Sequence, residues 1–265
     1  MKRKPIVGMS LKIYINTMEK ASVLAREVSE RFRDMEGIDV FLIPSMGTLY
    51  PVAQILKGSG ILYGVQNIAP LENGAMTGEL SVESAVDLGC HLVELGHAER
   101  KRIFREDYAM INDKILLTLK NGLIPVICIG ETSKGPGRKE ELKDQIRSLL
   151  TGVAPEAYDR IVLAYEPEWA IGQDKPAEAA YVHESLRFIR EILHAGYGET
   201  AGSVMRIIYG GSANKENARE LVSSEDVDGL FIGRFGHDVD NFESIVKHVK
   251  SMKEETEDEN SNRMR

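Results

Sequence analysis

Short apolar segments rich in β-branched residues alternate with amphipathic stretches along almost the whole chain. Each apolar segment has the length of a buried strand. In the stretches between them, apolar residues recur every three or four positions, as on one face of a helix. Ala21, Leu24, Ala25, Val28 and Phe32 show this helical spacing. The segments predicted as strands are residues 6–9, 40–43, 61–65, 91–95, 124–129, 161–165, 205–209 and 229–232. The pattern therefore predicts eight successive strand–helix units.

Strands that are separated by helices pair in parallel, because each helical crossover returns the chain to the same end of the sheet. Eight units of about 33 residues fit a closed (β/α)8 barrel. An open doubly wound sheet would give the same alternation, but residues 8–12, after the first strand, lack the G-x-G-x-x-G sequence typical of that fold. We therefore predict a single α/β domain, a (β/α)8 barrel over residues 1–253.

The end of the chain has a different composition from the rest. Residues 254–265 are acidic and polar and contain almost no apolar side chains. Such a segment cannot offset the entropy lost on ordering by burying apolar surface. We therefore expect a short disordered acidic tail after residue 253.

Charge and cysteine content narrow the class of protein. The chain has 33 Lys and Arg against 41 Asp and Glu, a formal net charge of −8, and no basic stripe. A nucleic-acid or anionic membrane surface is therefore not expected, and no apolar run approaches the roughly 18 residues of a membrane span. The N-terminus lacks the pattern of a secretory signal, and Cys90 and Cys128 are too few for a disulfide framework. These features predict a cytoplasmic enzyme or binding protein.

Polar residues follow several of the predicted strands. Lys12 follows the first strand, His97 and Glu99 follow the fourth, and Glu166 follows the sixth. Chemically active side chains of a (β/α)8 barrel lie at these strand ends. A lysine, a histidine and a glutamate that converge there suit proton abstraction next to a carbonyl group. Each residue alone also fits an ordinary structural role.

A metal site is the alternative for the acidic and histidine residues around the fourth strand. On a regular strand His91 and His97 would share one face while Glu94 points away, so the potential ligands, Glu99 among them, would not converge. We therefore expect no metal.

Glycines indicate an anion site near the end of the barrel sequence. Gly210, Gly211 and Ser212 precede a helix predicted to begin near Asn214, and Gly233 follows the last strand. Exposed backbone N–H groups at such positions bind phosphate in many barrels. Structural glycines in tight loops are the alternative.

Several motifs resemble the triosephosphate isomerase family, and the resemblance covers about residues 6–250. They are E-L-G-H-A-E-R at 94–100, A-Y-E-P-E-W-A-I-G at 164–172, Q-N at 66–67, T-G-E at 77–79, C-I-G-E at 128–131 and Y-G-G-S at 209–212. The resemblance implies a TIM barrel and a cofactor-free aldose–ketose isomerase that acts on a small phosphorylated sugar. It also implies a homodimer, in which Thr77 reaches the site of the partner subunit.

The family's catalytic roles transfer to matching positions of this chain. The resemblance implies that Glu166 is the base that moves a proton between adjacent carbons, that His97 is a neutral electrophile, and that Lys12 stabilises the enediolate. It implies that Glu99 positions Lys12. It further implies that residues 167–176 form a lid, and that the phosphate is surrounded by Ile171, Gly172, Gly211, Ser212 and Gly233.

Two departures from the family pattern concern the substrate. Ser10 stands where the family has an asparagine, and Arg234 stands where it has the second of two glycines. The shorter Ser10 leaves space near the substrate carbonyl, and Arg234 either binds the phosphate or points away from it. We therefore expect a tetrulose phosphate such as L-erythrulose 1-phosphate as substrate, as in a subgroup that resembles this family.

Three alternatives remain open. The first is a glycolytic triosephosphate isomerase. The second is a catalytically silent phosphate-binding barrel, which would be free to lose Lys12, His97 or Glu166, all of which are present. The third is a Schiff-base aldolase or synthase, which needs a lysine on a barrel strand, and the predicted strands contain none.

Overall fold

Eight parallel strands close into a barrel in the computed structural model, which describes residues 3–171 and 177–263, with side chains up to residue 256. Each strand pairs with its neighbours along the chain, and β1 also pairs with β8. The strands are β1 (Ile6–Ser10), β2 (Asp39–Ile43), β3 (Leu62–Val65), β4 (Leu92–Leu95), β5 (Ile124–Ile129), β6 (Val162–Tyr165), β7 (Arg206–Gly211) and β8 (Gly229–Ile232). The predicted (β/α)8 barrel is confirmed, and each predicted strand agrees with its observed bounds to within two residues.

Helices connect the strands and surround the barrel. They are α1 (Met18–Phe32), α2 (Leu49–Leu56), α3 (Val82–Asp87), α4 (Ala98–Phe104), α5 (Tyr108–Lys120), α6 (Arg138–Leu149), α7 (Ala179–Val204), α8 (Ala218–Leu221) and α9 (Val239–Arg263). Short 3-10 helices span Met46–Thr48, Pro155–Arg160, Glu168–Ala170 and Arg234–His237. Within the described ranges, none of the helices combines the length and apolar character that crossing a bilayer requires.

Alternate residues of each strand point into the barrel and form a small apolar core of their own. It consists of Ile6, Phe41, Ile43, Leu92, Val126, Cys128, Val162, Ala164, Ile208 and Phe231. The rings of Phe41 and Phe231 pack with their centroids 5.5 Å apart. Gly8 makes room for them, because a Cβ atom at this position would lie 2.2 Å from Cγ of Phe41. The middle of the barrel interior is therefore filled by apolar side chains.

The intervening residues of the strands face the helices and form the larger core. The five residues of α1 that the sequence pattern assigned to one apolar face are all buried there. The edge of the Phe32 ring packs against the ring of Phe242 on α9, with centroids 5.3 Å apart. The first and last helices are thus joined, which supports the closure of β1 onto β8.

A buried ionic network ties β7, β8 and β1 together at the end of the barrel opposite the opening. Oδ2 of Asp228 accepts hydrogen bonds from Arg190 at 2.8 Å and from the backbone N–H of Ile207 at 2.7 Å. Oδ1 accepts a hydrogen bond from Arg3 at 2.7 Å. Asp228 and Arg190 are both buried, so each neutralises a charge that would otherwise be costly inside the protein.

Two predictions are revised by the structure. The helix predicted to begin near Asn214 begins at Ala218, because Oδ1 of Asn214 accepts the N–H groups of Glu216 and Asn217 and holds a turn in front of it. At the chain end, α9 continues to Arg263, and Arg219 contacts Glu255. The predicted tail therefore begins within a helix. The boundary at residue 253 and the disorder of the last residues stay predictions.

Replacement of Asp228 by alanine should strongly destabilise the protein. The variant leaves the buried Arg190 without its 2.8 Å contact to a carboxylate, and breaking such a buried pair typically costs about 3–5 kcal/mol. Urea unfolding followed by circular dichroism should show the loss as a lower midpoint. Asp240→Ala removes an exposed carboxylate that also pairs with an arginine and should leave the midpoint nearly unchanged. Equal midpoints for the two variants would contradict the role given to Asp228.

Candidate active site

A cavity of about 290 Å³ lies at the carboxyl ends of the strands. It is lined by predicted site residues from both sides of the barrel. They are Ser10, Lys12, His97, Glu99, Glu166, Ile171, Gly211, Ser212, Gly233 and Arg234. Thr77 does not line this cavity; it lies exposed in the connection between β3 and α3. Gly172 lies outside the described residues, as does the greater part of the predicted lid.

His97 and Glu166 meet inside this cavity. Nε2 of His97 lies 3.2 Å from Oε2 of Glu166, and both side chains are buried. His97 is also the N-cap of α4, where its Nδ1 accepts the backbone N–H of Glu99 at 3.1 Å. A ring nitrogen that accepts a hydrogen bond carries no proton. The neutral ring therefore has its proton on Nε2, directed at the Glu166 carboxylate.

Charges in the cavity set the protonation of this pair. Burial raises the pKa of Glu166, but the nearby His97 and Lys12 lower it by more, so the pKa lies below its usual value. Burial lowers the pKa of His97, but the carboxylates of Glu166 and Glu94 raise it by more, so this pKa lies above its usual value. Glu166 is thus an ionised carboxylate at neutral pH, able to accept a proton.

Two glycines allow Glu166 to occupy its position. The residue directly follows β6, and its side chain passes over Gly210 of β7. A Cβ atom at residue 210 would lie 2.4 Å from Cγ of Glu166, and one at Gly130 would lie 1.8 Å from its carbonyl oxygen. Neither neighbour can therefore carry a side chain while Glu166 keeps this conformation.

Lys12 is held in a strained backbone conformation at the mouth of the cavity. Its φ is 45°, in the left-handed region, and its carbonyl oxygen accepts hydrogen bonds of 2.8 Å from Ser45 and from Gln66. Its Nζ lies 2.7 Å from Oε1 of Glu99, the contact expected from the resemblance. Burial lowers the pKa of Lys12, but Glu99 and Glu166 raise it by more. Lys12 therefore remains a fixed cation.

Ser10 makes a contact that the sequence analysis missed. Its Oγ donates a hydrogen bond of 2.8 Å to Oε2 of Glu94, a buried residue that also lines the cavity. Strand alternation suggested that Glu94 points away from His97. That inference is wrong, because β4 ends at Leu95 and Gly96 has a left-handed φ of 70°. The turn at Gly96 ends the regular alternation of side chains along β4. The space that we expected beside Ser10 therefore borders the carboxyl group of Glu94.

The far side of the cavity is formed by the ends of β7 and β8. Gly211 is the last residue of β7 and Ser212 follows it, and Gly233 precedes the 3-10 helix that begins at Arg234. The Arg234 guanidinium lies at the cavity mouth, 5.9 Å from the centre of the Tyr14 ring. Arg234 lines the same cavity as these glycines, and a guanidinium there provides a suitable environment for an anion.

The first part of the predicted lid is anchored by the carboxylate of Glu131, a role that could not be predicted from the sequence. Oε1 of Glu131 accepts hydrogen bonds from Tyr165 at 3.0 Å, Trp169 at 2.9 Å and Tyr181 at 2.6 Å. Trp169 lies in the short helix Glu168–Ala170. The lid as far as Ile171 is therefore tied to β5, β6 and α7, and residues 172–176 lie outside the described residues.

Comparison with known proteins gives consistent matches over the whole barrel. A family model described as triosephosphate isomerase matches residues 5–249. "Probable triosephosphate isomerase 2" of Listeria monocytogenes serotype 4b is 43% identical over 254 residues, which are 95% of this chain and 99% of the relative. "Triosephosphate isomerase" of Carboxydothermus hydrogenoformans is 38% identical over 248 residues, 92% and 98% of the two chains. "Triosephosphate isomerase" of Moorella thermoacetica is 37% identical over 252 residues, which are 93% of this chain and 99% of the relative.

The contact between Glu166 and His97 predicts a measurable titration effect. Glu166→Gln removes the negative charge that raises the pKa of His97 most strongly, so this pKa should fall. The imidazole signals of isotope-labelled protein, followed by NMR against pH, would measure it. His91, whose Nδ1 accepts a hydrogen bond from the backbone N–H of Tyr63, has a pKa lowered by burial and should titrate alike in both proteins. A His97 pKa that is unchanged or rises in the variant would contradict the geometry.

Proposed function

The chain belongs to the triosephosphate isomerase family and is an isomerase, and we propose that it acts on a tetrulose phosphate such as L-erythrulose 1-phosphate. The observation that carries the proposal is the change at the wall of the cavity nearest the reacting groups. There Ser10 replaces the longer asparagine of the family motif, and its hydroxyl group pairs with Glu94. The rest of the proton-transfer machinery matches the family.

The proposed reaction uses three side chains. The Glu166 carboxylate removes a proton from the carbon beside the carbonyl, and the electron pair of that C–H bond forms the carbon–carbon double bond of an enediolate. The negative charge collects on the former carbonyl oxygen, where Nε2–H of His97 and the Lys12 cation stabilise it. The former carbonyl oxygen then takes the proton from Nε2 of His97, and the neighbouring hydroxyl group gives its proton back to that nitrogen. Glu166 returns its proton to the former carbonyl carbon, so the carbonyl moves by one carbon and no cofactor is needed.

The phosphate group would lie at the ends of β7 and β8. We propose that it is bound by Gly211, Ser212 and Gly233, with the Arg234 guanidinium as an additional ligand. Ile171 and Gly172 would approach from the lid, residues 167–176, when it closes and excludes water from the enediolate. Lys12, anchored by Glu99, would lie between the phosphate and the reacting carbons.

A tetrulose phosphate carries an additional group on the reacting carbon, and the shorter side chain at Ser10 fits a substrate of this kind. In L-erythrulose 1-phosphate the carbon that loses its proton carries a hydroxymethyl group where dihydroxyacetone phosphate has a hydrogen. The same proton transfer then moves the carbonyl from C2 to C3 and yields another ketose phosphate. The additional group needs space and a polar partner, and the shortened side chain at Ser10 supports both.

The second candidate is the interconversion of the triose phosphates, which the names of the relatives favour. A catalytically silent barrel is the third, and the meeting of Lys12, His97 and Glu166 in one cavity argues against it. We further propose a cytoplasmic location, because Cys90 and Cys128 are both buried free thiols.

Exposed apolar residues favour the proposed homodimer. Ile13 and Tyr14 follow β1, Tyr50 follows β2, and Ile103 and Phe104 lie in α4, after β4; all five side chains are more than half exposed. These connections adjoin one another, since β1 to β4 are consecutive in the barrel. The connection after β3, which carries Thr77, lies among them. A second copy of the chain would cover this apolar surface and receive Thr77 near its own cavity.

Specificity constants of the purified protein test the proposed substrate. Turnover of L-erythrulose 1-phosphate should exceed that of glyceraldehyde 3-phosphate and dihydroxyacetone phosphate. Glu166→Gln should lower turnover of every substrate by about 10²–10⁴, the usual contribution of a general base, which assigns the activity to this cavity. A triose specificity constant near the diffusional ceiling of about 10⁸ M⁻¹s⁻¹ with no tetrulose turnover would instead identify a triosephosphate isomerase.

Sedimentation equilibrium tests the proposed dimer. The mass should be close to twice the 29.5 kDa of one chain, and Ile103→Glu should shift it towards one chain, because burying an unpaired carboxylate in an interface is unfavourable. Val23→Glu places the same charge at an exposed position on α1 and should leave the mass unchanged. A monomeric unaltered protein, or equal masses for both variants, would contradict the proposal.

A further inference from the structure

A buried carboxyl group, that of Glu94, lies inside the barrel near the carboxyl ends of the strands, and only one of its two oxygens accepts a hydrogen bond from a described residue. Glu94 is 3% exposed and shares the inward face of β4 with Leu92. Among the described residues, Ser10 donates to its Oε2, and none donates to its Oε1. A carboxyl group among apolar side chains is costly unless it is hydrogen-bonded. Ser10 thus holds one oxygen of Glu94, and the other oxygen can accept a hydrogen bond from a ligand in the cavity that Glu94 lines.

Glu94 extends from the strand across the barrel from the proposed phosphate site, and its carboxyl group reaches Ser10 on β1. In a closed barrel of eight strands in sequential order, β4 lies across from β8. The anion-binding features lie at the ends of β7 and β8, and Glu166 follows β6, the neighbour of β7. A substrate bound by its phosphate at Gly233 and reacting at Glu166 would have the rest of its carbon chain in the cavity that Ser10 and Glu94 also line.

We propose that Glu94 is a specificity-determining residue that accepts a hydrogen bond from the terminal hydroxyl group of the substrate. The inference rests on the proposed function, since a tetrulose phosphate has such a hydroxyl on the additional carbon and a triose phosphate does not. Ser10 holds the carboxyl group in place through its Oε2, and the small serine side chain leaves Oε1 accessible from the cavity.

The electrostatics of the cavity agree with this assignment. Burial raises the pKa of Glu94, and the nearby His97 and the hydrogen bond from Ser10 oppose the rise only in part. The Glu94 carboxylate is therefore more basic than that of Glu166, whose pKa is lowered, and a more basic carboxylate is a stronger hydrogen-bond acceptor. Glu94 is suited to hydrogen bonding, and a site built to bind a hydroxyl group discriminates against substrates that lack it.

A substrate without the terminal hydroxyl provides the direct test. The unaltered protein should turn over L-erythrulose 1-phosphate with a kcat/KM about 10–100 times that of its 4-deoxy analogue, the effect of one hydrogen bond to a charged group. Glu94→Leu should abolish this preference, and Glu94→Gln, which retains an acceptor oxygen, should keep part of it. The loss of kcat/KM in Glu94→Leu should be at least tenfold greater for the tetrulose than for dihydroxyacetone phosphate.

The outcomes separate this inference from the proposed function. Equal turnover of the tetrulose and its deoxy analogue by the unaltered protein would overturn the role of Glu94 alone, and this measurement needs no variant to fold. Equal losses on all substrates in Glu94→Leu would also overturn it and would assign Glu94 to the positioning or titration of His97. Absence of tetrulose turnover by the unaltered protein would overturn the proposed function and this inference with it.

Discussion

Closure of the eight-stranded sheet is the constraint on which the rest of the structure depends. Once β1 pairs with β8, half of the strand side chains must share one enclosed interior. Phe41 and Phe231 fill its middle, and Gly8 has to lack a side chain to admit them. Polar groups that are buried and still reach a ligand must then lie near an end of the barrel, and here they lie at the carboxyl ends of the strands. The location of the cavity follows from this packing.

The sequence was sufficient to predict the barrel and most of its site, because both depend on local pattern. Lys12, His97 and Glu166 each follow a strand directly, and closure of the barrel brings them together. The orientation of Glu94 could not be predicted, because it depends on the left-handed turn at Gly96 and on a serine 84 positions away. The delayed start of α8 depends likewise on hydrogen bonds that the Asn214 side chain makes within its own turn.

Three carboxyl groups share the cavity, and their partners give them different properties. Glu99 contacts Lys12, Glu166 contacts His97, and Glu94 has only the neutral hydroxyl of Ser10 among the described side chains. Burial raises the pKa of both Glu94 and Glu166, but His97 and Lys12 reverse the effect for Glu166 alone. One cavity therefore holds an ionised base beside a carboxyl group that is easier to protonate, which allows proton transfer and hydroxyl recognition to be divided between them.

Ser10 and Glu94 have to be interpreted as one unit. A serine at this position with an apolar residue in place of Glu94 would leave a void and an unpaired hydroxyl group. Glu94 with the longer asparagine of the family motif would instead have an amide competing for its carboxyl oxygens. The two residues come from strands that are not neighbours and meet only through the barrel interior. Substrate preference in this isomerase would then depend on the interior side chains of the barrel as well as on the loops that bind the phosphate.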